Sequence, residues 1–288
     1  MVPTGTARIP RGLYYTNTSG PATGGVTLHP ILNGSVSLSA SIPGFKTANI
    51  NGTRTVSVSQ PGITVSAFSA QIGSGLQDAV NVTLGASNHG GTTVTLTSSD
   101  PSILRVSKAV DSASAASIQV VIPNGQTNYT FYVHGMEGAT GTPTITATAS
   151  GFTNGTASEE VVVPAIDLQG GGTYTAGGAD QGIYSQVGIR NSQNTALQRV
   201  QNVRAGAPSP VTVTFVSSTP AVGTLVNTAQ GAGTPRTAVI APGFYYTPTS
   251  VSGGGVAFRP LTVGATNLSV TAPGFTPMAN ATRVATVQ

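Results

Sequence analysis

The 288-residue sequence contains no cysteine and no tryptophan, and charged residues make up only 7% of it. The absence of cysteine excludes disulfide bonds, thiol catalysis and cysteine-ligated metal sites. Charged residues make up about 25% of an ordinary soluble protein, so Ser, Thr, Asn and 37 Gly must supply the polar surface here. Apolar residues still reach 39% and alternate with Thr and Ser, which indicates ordered β-structure and not disorder.

Long apolar runs are also missing. None approaches the roughly 18 residues of a membrane-spanning helix, so we expect no membrane span. The N-terminal stretch MVPTGTARIP lacks the charged start and apolar core of a signal peptide. We therefore expect that an export signal has been removed or that the chain is part of a longer protein.

The net charge of +4 comes from basic residues that are spread along the chain. Arg190, Arg199 and Arg204 come closest to a cluster, and no aromatic residue is interleaved with them for base stacking. We expect these arginines to lie in a solvated loop and the protein to have no nucleic-acid partner.

One phrase occurs three times, over residues 36–60, 144–163 and 268–288. In each copy an alternating strand runs into a Gly-Phe corner, and a second alternating strand follows a short loop. The alternation predicts that three apolar residues of each first strand point into a core while Ser and Thr face water. These core candidates are Leu38, Ala40, Ile42, Ile145, Ala147, Ala149, Leu268, Val270 and Ala272. The corner residues Phe45, Phe152 and Phe275 are predicted to pack over the end of the core.

The similarity between copies extends upstream of this phrase. TARIPRGLYYTNTS (6–19) matches TAVIAPGFYYTPTS (237–250), and GGVTLHP (24–30) matches GGVAFRP (254–260). The strand TVTLTSSDPS that begins at Thr93 matches TVTFVSSTPA in the last copy, but the first copy has no counterpart.

These matches predict the domain organisation. Residues 1–60 correspond to the C-terminal half of a repeat, 61–163 to a complete repeat, and 164–288 to a second complete repeat. The last repeat carries an insertion near 191–210, where we expect a loop with room for one short helical turn. Short strands at regular spacing with turn residues between them predict an all-β fold of tandem immunoglobulin-like antiparallel β-sandwiches.

Three segments resemble bacterial immunoglobulin-like repeats: TVTLTSSDPSIL (93–104), VVIPNGQTNYTFYV (120–133) and TITATASGFTNGTASEEVVV (144–163). The resemblance implies a seven-stranded sandwich used as a spacer or stalk in adhesins, surface-layer proteins and other fibrous exports. It supplies no catalytic residues.

No motif in the sequence indicates catalysis or a bound cofactor, so we expect a protein that is not an enzyme and has no cofactor and no metal ligands. His29 and His134 occupy the position at which the last copy has Arg259, which favours a polar surface site over a metal ligand or a catalytic base.

A calcium site is an alternative at the joint near Pro164, where Glu159, Glu160 and Asp167 lie close in sequence. The other interpretation of these carboxylates is a solvated linker.

Eight Asn residues begin N-x-[ST] sequons, and Asn51, Asn154 and Asn280 fall in the same loop of the three copies. These three are candidate glycosylation sites of a surface protein. The preference of Asn for turns and of Thr for strands explains the same pattern without any glycan.

A half repeat exposes an apolar face and unpaired strand edges, which pair readily with another chain. Its missing strands come either from preceding residues of a tandem array or from a neighbouring subunit by strand addition. We therefore predict a structural component of an extracellular filament or cell-surface array, in which copies of the protein associate head-to-tail or by strand complementation.

Two tyrosine pairs, Tyr14-Tyr15 and Tyr245-Tyr246, are candidate self-association residues. The alternative is that one Tyr of each pair packs in its own core. Two other functions are open: an adhesin or carbohydrate-binding stalk module that uses the 191–210 insertion, and an accessory region of a secreted hydrolase.

Overall fold

The computed structural model describes residues 5–13, 15–28, 33–46, 52–67 and 71–288. The helices of this part are single 3-10 turns, at Pro21–Thr23, Val251–Gly253 and Ala279–Ala281. All its other regular elements are strands, so the predicted all-β fold is confirmed. The chain divides into two compact units, Met1–Gln60 and Pro61–Gln288.

The unit Met1–Gln60 contains one antiparallel hairpin of two strands, β1 (Gly34–Ser39) and β2 (Thr53–Val58). Its register runs from Gly34 opposite Val58 to Ser39 opposite Thr53. Within the described residues of this unit, β1 pairs only with β2, and Gly25 alone is buried. The described part of the unit therefore has no hydrophobic core.

The unit Pro61–Gln288 contains two sandwiches, each around its own core. The first sandwich has ten strands. They are β3 (Ile63–Ala67), β4 (Gln71–Gly73), β5 (Leu76–Leu84), β6 (Thr92–Ser98), β7 (Leu104–Ser107), β8 (Ser117–Ile122), β9 (Asn128–Gly135), β10 (Thr144–Thr148), β11 (Gly155–Ser158) and β12 (Glu160–Val162). One sheet has the order β11-β10-β6-β8, and the facing sheet contains β5, β9, β7 and β3. The short strands β4 and β12 pair in parallel at the end of the sandwich.

The second sandwich repeats this plan with thirteen strands. They are β13 (Ala165–Gln169), β14 (Gly172–Tyr174), β15 (Gln181–Arg190), β16 (Leu197–Val200), β17 (Asn202–Val203), β18 (Val211–Ser217), β19 (Gly223–Asn227), β20 (Gly231–Gly233), β21 (Arg236–Ile240), β22 (Val256–Pro260), β23 (Gly264–Thr271), β24 (Thr276–Pro277) and β25 (Thr282–Val287). One sheet has the order β14-β25-β23-β18-β21, and the other has β20-β19-β22-β15-β13-β24.

Period-two alternation builds both cores. Along β8, for example, Ile118, Val120 and Ile122 are buried while the residues between them are exposed. A strand presents successive side chains to opposite faces, so the apolar residues collect on the inner face and Ser, Thr and Gln face water. The tandem immunoglobulin-like sandwiches predicted from this alternation are confirmed.

The core candidates of the repeated phrase are buried wherever the repeat is complete. Ile145, Ala147, Leu268 and Val270 are inaccessible or nearly so, and Ala272 is also buried. Ala149 and Phe275 are partly buried against their cores, and Phe152 is buried. The corresponding residues of the half repeat behave differently, because Leu38, Ile42 and Phe45 are exposed.

The 191–210 insertion is only in part the loop that the sequence indicates. Residues 191–196 and 204–210 form turns and loop, whereas Leu197–Val200 and Asn202–Val203 form strands β16 and β17. β16 pairs with β15 of its own sandwich, whereas β17 pairs with β5 of the first sandwich. Long-range strand pairing, which local residue preference does not encode, decides this conformation.

Candidate functional site

The joint between the two sandwiches is a continuous set of backbone hydrogen bonds. Strand β17 extends the sheet of the first sandwich, with Asn202 opposite Gln77 and Val203 opposite Leu76. Beyond it, the Arg204 amide donates to the Gly75 carbonyl at 3.0 Å. Leu76 lies on a strand of the first sandwich but packs fully buried in the core of the second. The two sandwiches therefore share both a sheet and a core residue.

Buried glutamines complete this joint. The side-chain oxygen of Gln201 accepts from the Gly73 amide at 2.9 Å, and its nitrogen donates to the Gln71 carbonyl at 3.0 Å and to Asp78 Oδ2 at 3.1 Å. Gln77 accepts from the Ala205 amide at 2.7 Å. Buried polar groups are costly unless they are paired, so these bonds specify one relative position of the sandwiches.

Two arginines of the insertion pair with carboxylates of the first sandwich. Arg204 binds Glu137 in a bidentate manner, with Nε to Oε1 at 2.8 Å and Nη2 to Oε2 at 2.7 Å. Arg199 pairs with Asp78. The prediction of a solvated loop is wrong for Arg204, whose side chain is only 8% exposed, because the insertion lies against the neighbouring sandwich.

Two ionisable side chains are buried beside these pairs. The pKa of Glu159 is raised to about 7, mainly by burial and also by the nearby Asp78 carboxylate, while Arg199 opposes the shift. Burial lowers the pKa of His134 to about 4, and Arg204 adds to this effect. Glu159 Oε1 and both ring nitrogens of His134 have no hydrogen-bond partner.

The expectation that His134 lies on a polar surface is wrong. Its side chain is fully inaccessible, and it sits opposite Gln77 on β9, where the insertion covers the sheet. His29, which occupies the matching position in the first copy, lies outside the described residues.

The half repeat presents core residues to solvent. Val26 is 61% exposed while the matching Val256 is fully buried, and Leu38 is 40% exposed while the matching Leu268 is 1% exposed. Leu28, Ile42 and other matched apolar residues follow the same trend. The open face of the half repeat, defined here by Val26, Leu28, Leu38 and Ile42, is therefore built from residues that form the core in a complete sandwich.

The tyrosine candidates occupy different environments. Tyr245 packs against the core of the second sandwich, and its ring lies 4.9 Å from the ring of Tyr246. Tyr246 makes edge contacts with Tyr184 and with the exposed Phe244. Tyr15 is exposed, and Tyr14 lies outside the described residues. Self-association through these residues stays a prediction.

Two of the three sequon asparagines lie in the described part of the chain. Asn154 is exposed in the turn between β10 and β11. Asn280 is partly buried, and its side-chain nitrogen donates to Asp167 Oδ2 at 3.3 Å. Asn51 lies outside the described residues.

The carboxylates considered for calcium are separated by the fold. Glu159 lies beside Asp78 at the joint, and Glu160 accepts a hydrogen bond from Gln71. Asp167 instead faces Gln169 and Asn280 within the second sandwich. Across the described ranges, no three His, Cys, Asp or Glu side chains are grouped to hold a metal ion, and no helix is long and apolar enough to cross a membrane.

A shallow polar groove lies beside the insertion. It has a volume of about 510 Å³ and is lined by Gln71, Arg190, Asn191, Ser192, Asn194 and Gln198. Its amide and guanidinium groups are of the kind that hydrogen-bond sugar hydroxyls.

No family model matches the chain, and no curated protein is similar to it. Solved structures that align with it include a red sea bream transglutaminase, with a TM-score of 0.24 and 12% identity over 80% of this chain and 32% of that chain. Another is the type II cohesin dyad from the adaptor ScaA scaffoldin of Acetivibrio cellulolyticus, with a TM-score of 0.23 and 11% identity over 72% of this chain and 87% of that chain. The Yersinia pseudotuberculosis adhesin InvE has a TM-score of 0.23 and 19% identity over 78% of this chain and 58% of that chain. TM-scores this low carry no information on function, which must be argued from the residues of this chain.

Proposed function

We propose that this protein is a structural module of an extracellular filament or cell-surface array, and that its half repeat is completed by strands from a preceding segment of a longer chain or from a neighbouring subunit. The observation that carries the proposal is the open face, whose residues are exposed although their counterparts in the second sandwich are buried. Burying a Val, Leu, Ile or Phe side chain contributes about 1.5–3 kcal/mol. Completion of this half sandwich is therefore strongly favourable.

The joint between the two sandwiches supports a role in transmitting mechanical force. A shared strand, the bidentate Arg204–Glu137 pair and the bonds of Gln201 hold the two sandwiches as one body. A stalk whose segments do not pivot transmits force along its length. The low content of charged residues, 7%, favours close packing of neighbouring modules because little like-charge repulsion opposes it.

Electron microscopy and light scattering of the full chain test this proposal. We expect ordered, concentration-dependent assemblies. A chain that stays monomeric at every concentration would contradict assembly from this chain alone. Mass spectrometry of native material tests glycosylation separately, with the exposed Asn154 as the expected site.

A carbohydrate-binding stalk module is the second candidate, and the polar groove beside the insertion favours it. Glycan-array binding that is lost in Arg190→Ala and Gln198→Ala, with unchanged thermal stability, would support this function. The same array gives no signal if the groove is only a surface feature of the joint.

A further inference from the structure

The hairpin of the half repeat lacks a specific neighbouring strand. In the second sandwich, β23 lies between β25 and β18, and in the first, β10 lies between β11 and β6. Strand β1 corresponds to β10 and β23 in sequence, but its only partner in the described part of its unit is β2. The edge of β1 that faces away from β2 is thus the edge that β6 and β18 occupy in the complete sandwiches.

The other segments of the half repeat identify the same missing partners. Residues 5–9 correspond to β21, which pairs with β18, and residues 26–28 correspond to β22, which pairs with β15 and β19. Neither segment forms a strand in the half repeat. A strand needs hydrogen-bonded neighbours to satisfy its backbone groups. Residues 5–9 and 26–28 have no partner strand and are irregular, whereas β1 and β2 pair with each other.

The two complete sandwiches place the missing strand in the same register. Leu268 lies opposite Ser217 and Val270 opposite Phe215. In the first sandwich, Ile145 lies opposite Ser98 and Ala147 opposite Leu96. In both cases the first serine of a Ser-Ser pair lies opposite the first core residue, and a large apolar side chain lies opposite the second.

We infer that the open edge of β1 binds an extended peptide segment with the pattern of β6 and β18, alternating Val, Leu or Phe with Thr and ending in Ser-Ser. It runs antiparallel to β1, with the first serine of the pair opposite Leu38 and the large apolar residue opposite Ala40. The inference rests on the proposal above that strands from outside the described sandwiches complete the half repeat.

The segment does not come from a folded copy of the two complete sandwiches. Both strands of this pattern in those sandwiches are already paired on both edges, β6 by β10 and β8, and β18 by β23 and β21. A folded copy therefore has no β6-type or β18-type strand to offer without opening a core. The segment is therefore an unpaired strand of this pattern from outside the two complete sandwiches.

Binding of a synthetic peptide to the full chain tests this inference. The probe is residues 210–228 of this sequence, PVTVTFVSSTPAVGTLVNT, and its control carries Val213→Asp and Phe215→Asp. Native mass spectrometry and hydrogen exchange report stoichiometry and protection. We expect a one-to-one complex and slower exchange over residues 34–39, with no complex for the control peptide.

Two matched variants of β1 locate the contact. Leu38→Asp places a charge on the open face, and Ser37→Asp places the same charge on the opposite face of the strand. We expect Leu38→Asp to weaken peptide binding by at least about tenfold, equivalent to about 1.4 kcal/mol, and Ser37→Asp to leave it nearly unchanged.

Absence of a complex, or equal binding by both variants, would overturn the inference. So would a Leu38-dependent dimer of the chain that the peptide does not dissociate, because the open face would then be covered by a second copy. If the peptide binds in this register while the chain never assembles, pairing of β1 with such a segment is supported and filament assembly of this chain is contradicted. If filaments form while β1 shows no protection from hydrogen exchange, assembly is supported and the pairing of β1 with such a segment is contradicted.

Discussion

At the scale of single residues, Glu159 and His134 are two ionisable groups that the joint buries without complete hydrogen bonding. Their effects on stability have opposite signs with pH. The pKa of Glu159 is raised, so its charged form is disfavoured in the folded state; the pKa of His134 is lowered, so its charged form is also disfavoured there. Between pH 4.5 and 6.5 the two effects oppose each other, and each needs its own variant.

Glu159→Gln tests the carboxylate. The wild-type protein loses stability as pH rises from the ordinary value of 4.5 to about 7, because the unfolded chain releases this proton first. The variant removes that loss. We expect its free energy of unfolding at pH 8.5 to exceed that of the wild type by up to about 3 kcal/mol, since each tenfold change in proton affinity corresponds to about 1.4 kcal/mol.

Urea denaturation at pH 4 and 8.5 measures this difference. Asp111→Asn, which removes an exposed carboxylate and leaves Glu159 in place, is the matched control and should not gain stability over the wild type at pH 8.5. Equal stability of Glu159→Gln and the wild type at pH 8.5 would show that Glu159 ionises freely.

His134→Leu tests the imidazole. In the wild type, stability falls as pH decreases from 6.5 to about 4, because the unfolded chain takes up a proton that the folded chain does not. Leucine has no titrating group and no unpaired nitrogen, so we expect acid denaturation of the variant to begin at lower pH. Circular dichroism during an acid titration measures the midpoint, with His89→Leu, on an exposed turn, as the comparison. An unchanged midpoint would mean that other groups govern acid unfolding.

At the scale of elements, strand β17 and the adjacent Arg204 connect two cores that are otherwise separate in sequence. The short strand contributes two residue pairs to the sheet of the first sandwich. Two pairs alone are too few to fix an orientation, so the side chains that follow β17 must provide the remaining stabilisation. Arg204 meets this need by combining burial with bidentate geometry.

Arg204→Ala should therefore destabilise the joint by about 1.5–3 kcal/mol, because it removes a buried guanidinium and its charge-assisted hydrogen bonds to the partly exposed Glu137. The matched control is Arg259→Ala, which removes a bidentate pair with Asp180 of the same 2.7 Å length but with both side chains substantially exposed. We expect that change to cost at most about 1 kcal/mol. Chemical denaturation compares the two, and similar losses would show that Arg204 acts as an ordinary surface residue.

At the scale of the whole molecule, Pro61–Gln288 is one compact unit although it has two hydrophobic cores. Leu76 explains this, because β5 belongs to the first sandwich and its first residue fills the core of the second. Unfolding either sandwich removes the packing or the pairing partner of the other. The unit is thus expected to unfold in one transition.

Differential scanning calorimetry checks this expectation. We expect one transition for the wild type, and we expect Leu76→Ala to cost about 2–5 kcal/mol and to accelerate hydrogen exchange in both sandwiches. Val82→Ala, at a buried position of the first core alone, should act first on that sandwich. Two resolved transitions in the wild type would show that the sandwiches are independent.

Much of this architecture follows from local sequence pattern. Ile145, Ala147, Leu268 and Val270 are buried as predicted, because residues two apart on a strand share a face and apolar residues recur at that spacing. The three matching copies also predicted where the first copy lacks strands. This information is local or repeated, so it is readable without coordinates.

The joint was not predictable in this way. The insertion 191–210 has the composition of a loop, yet part of it forms β16 and β17. His134 occupies a position that accepts His or Arg in the other copies, which indicates a polar surface, yet its side chain is inaccessible. Both outcomes depend on contacts between residues far apart in the chain. Their energy comes from desolvation and pairing that exist only once the sandwiches meet.

The sequence by itself determined the all-β class and the alternation of inner and outer faces. Only the tertiary structure decided that the insertion is the bond between two sandwiches and that the joint buries Glu159 and His134. The reason is physical: alternation is a property of one strand, whereas burial and strand pairing are properties of two segments that folding brings together.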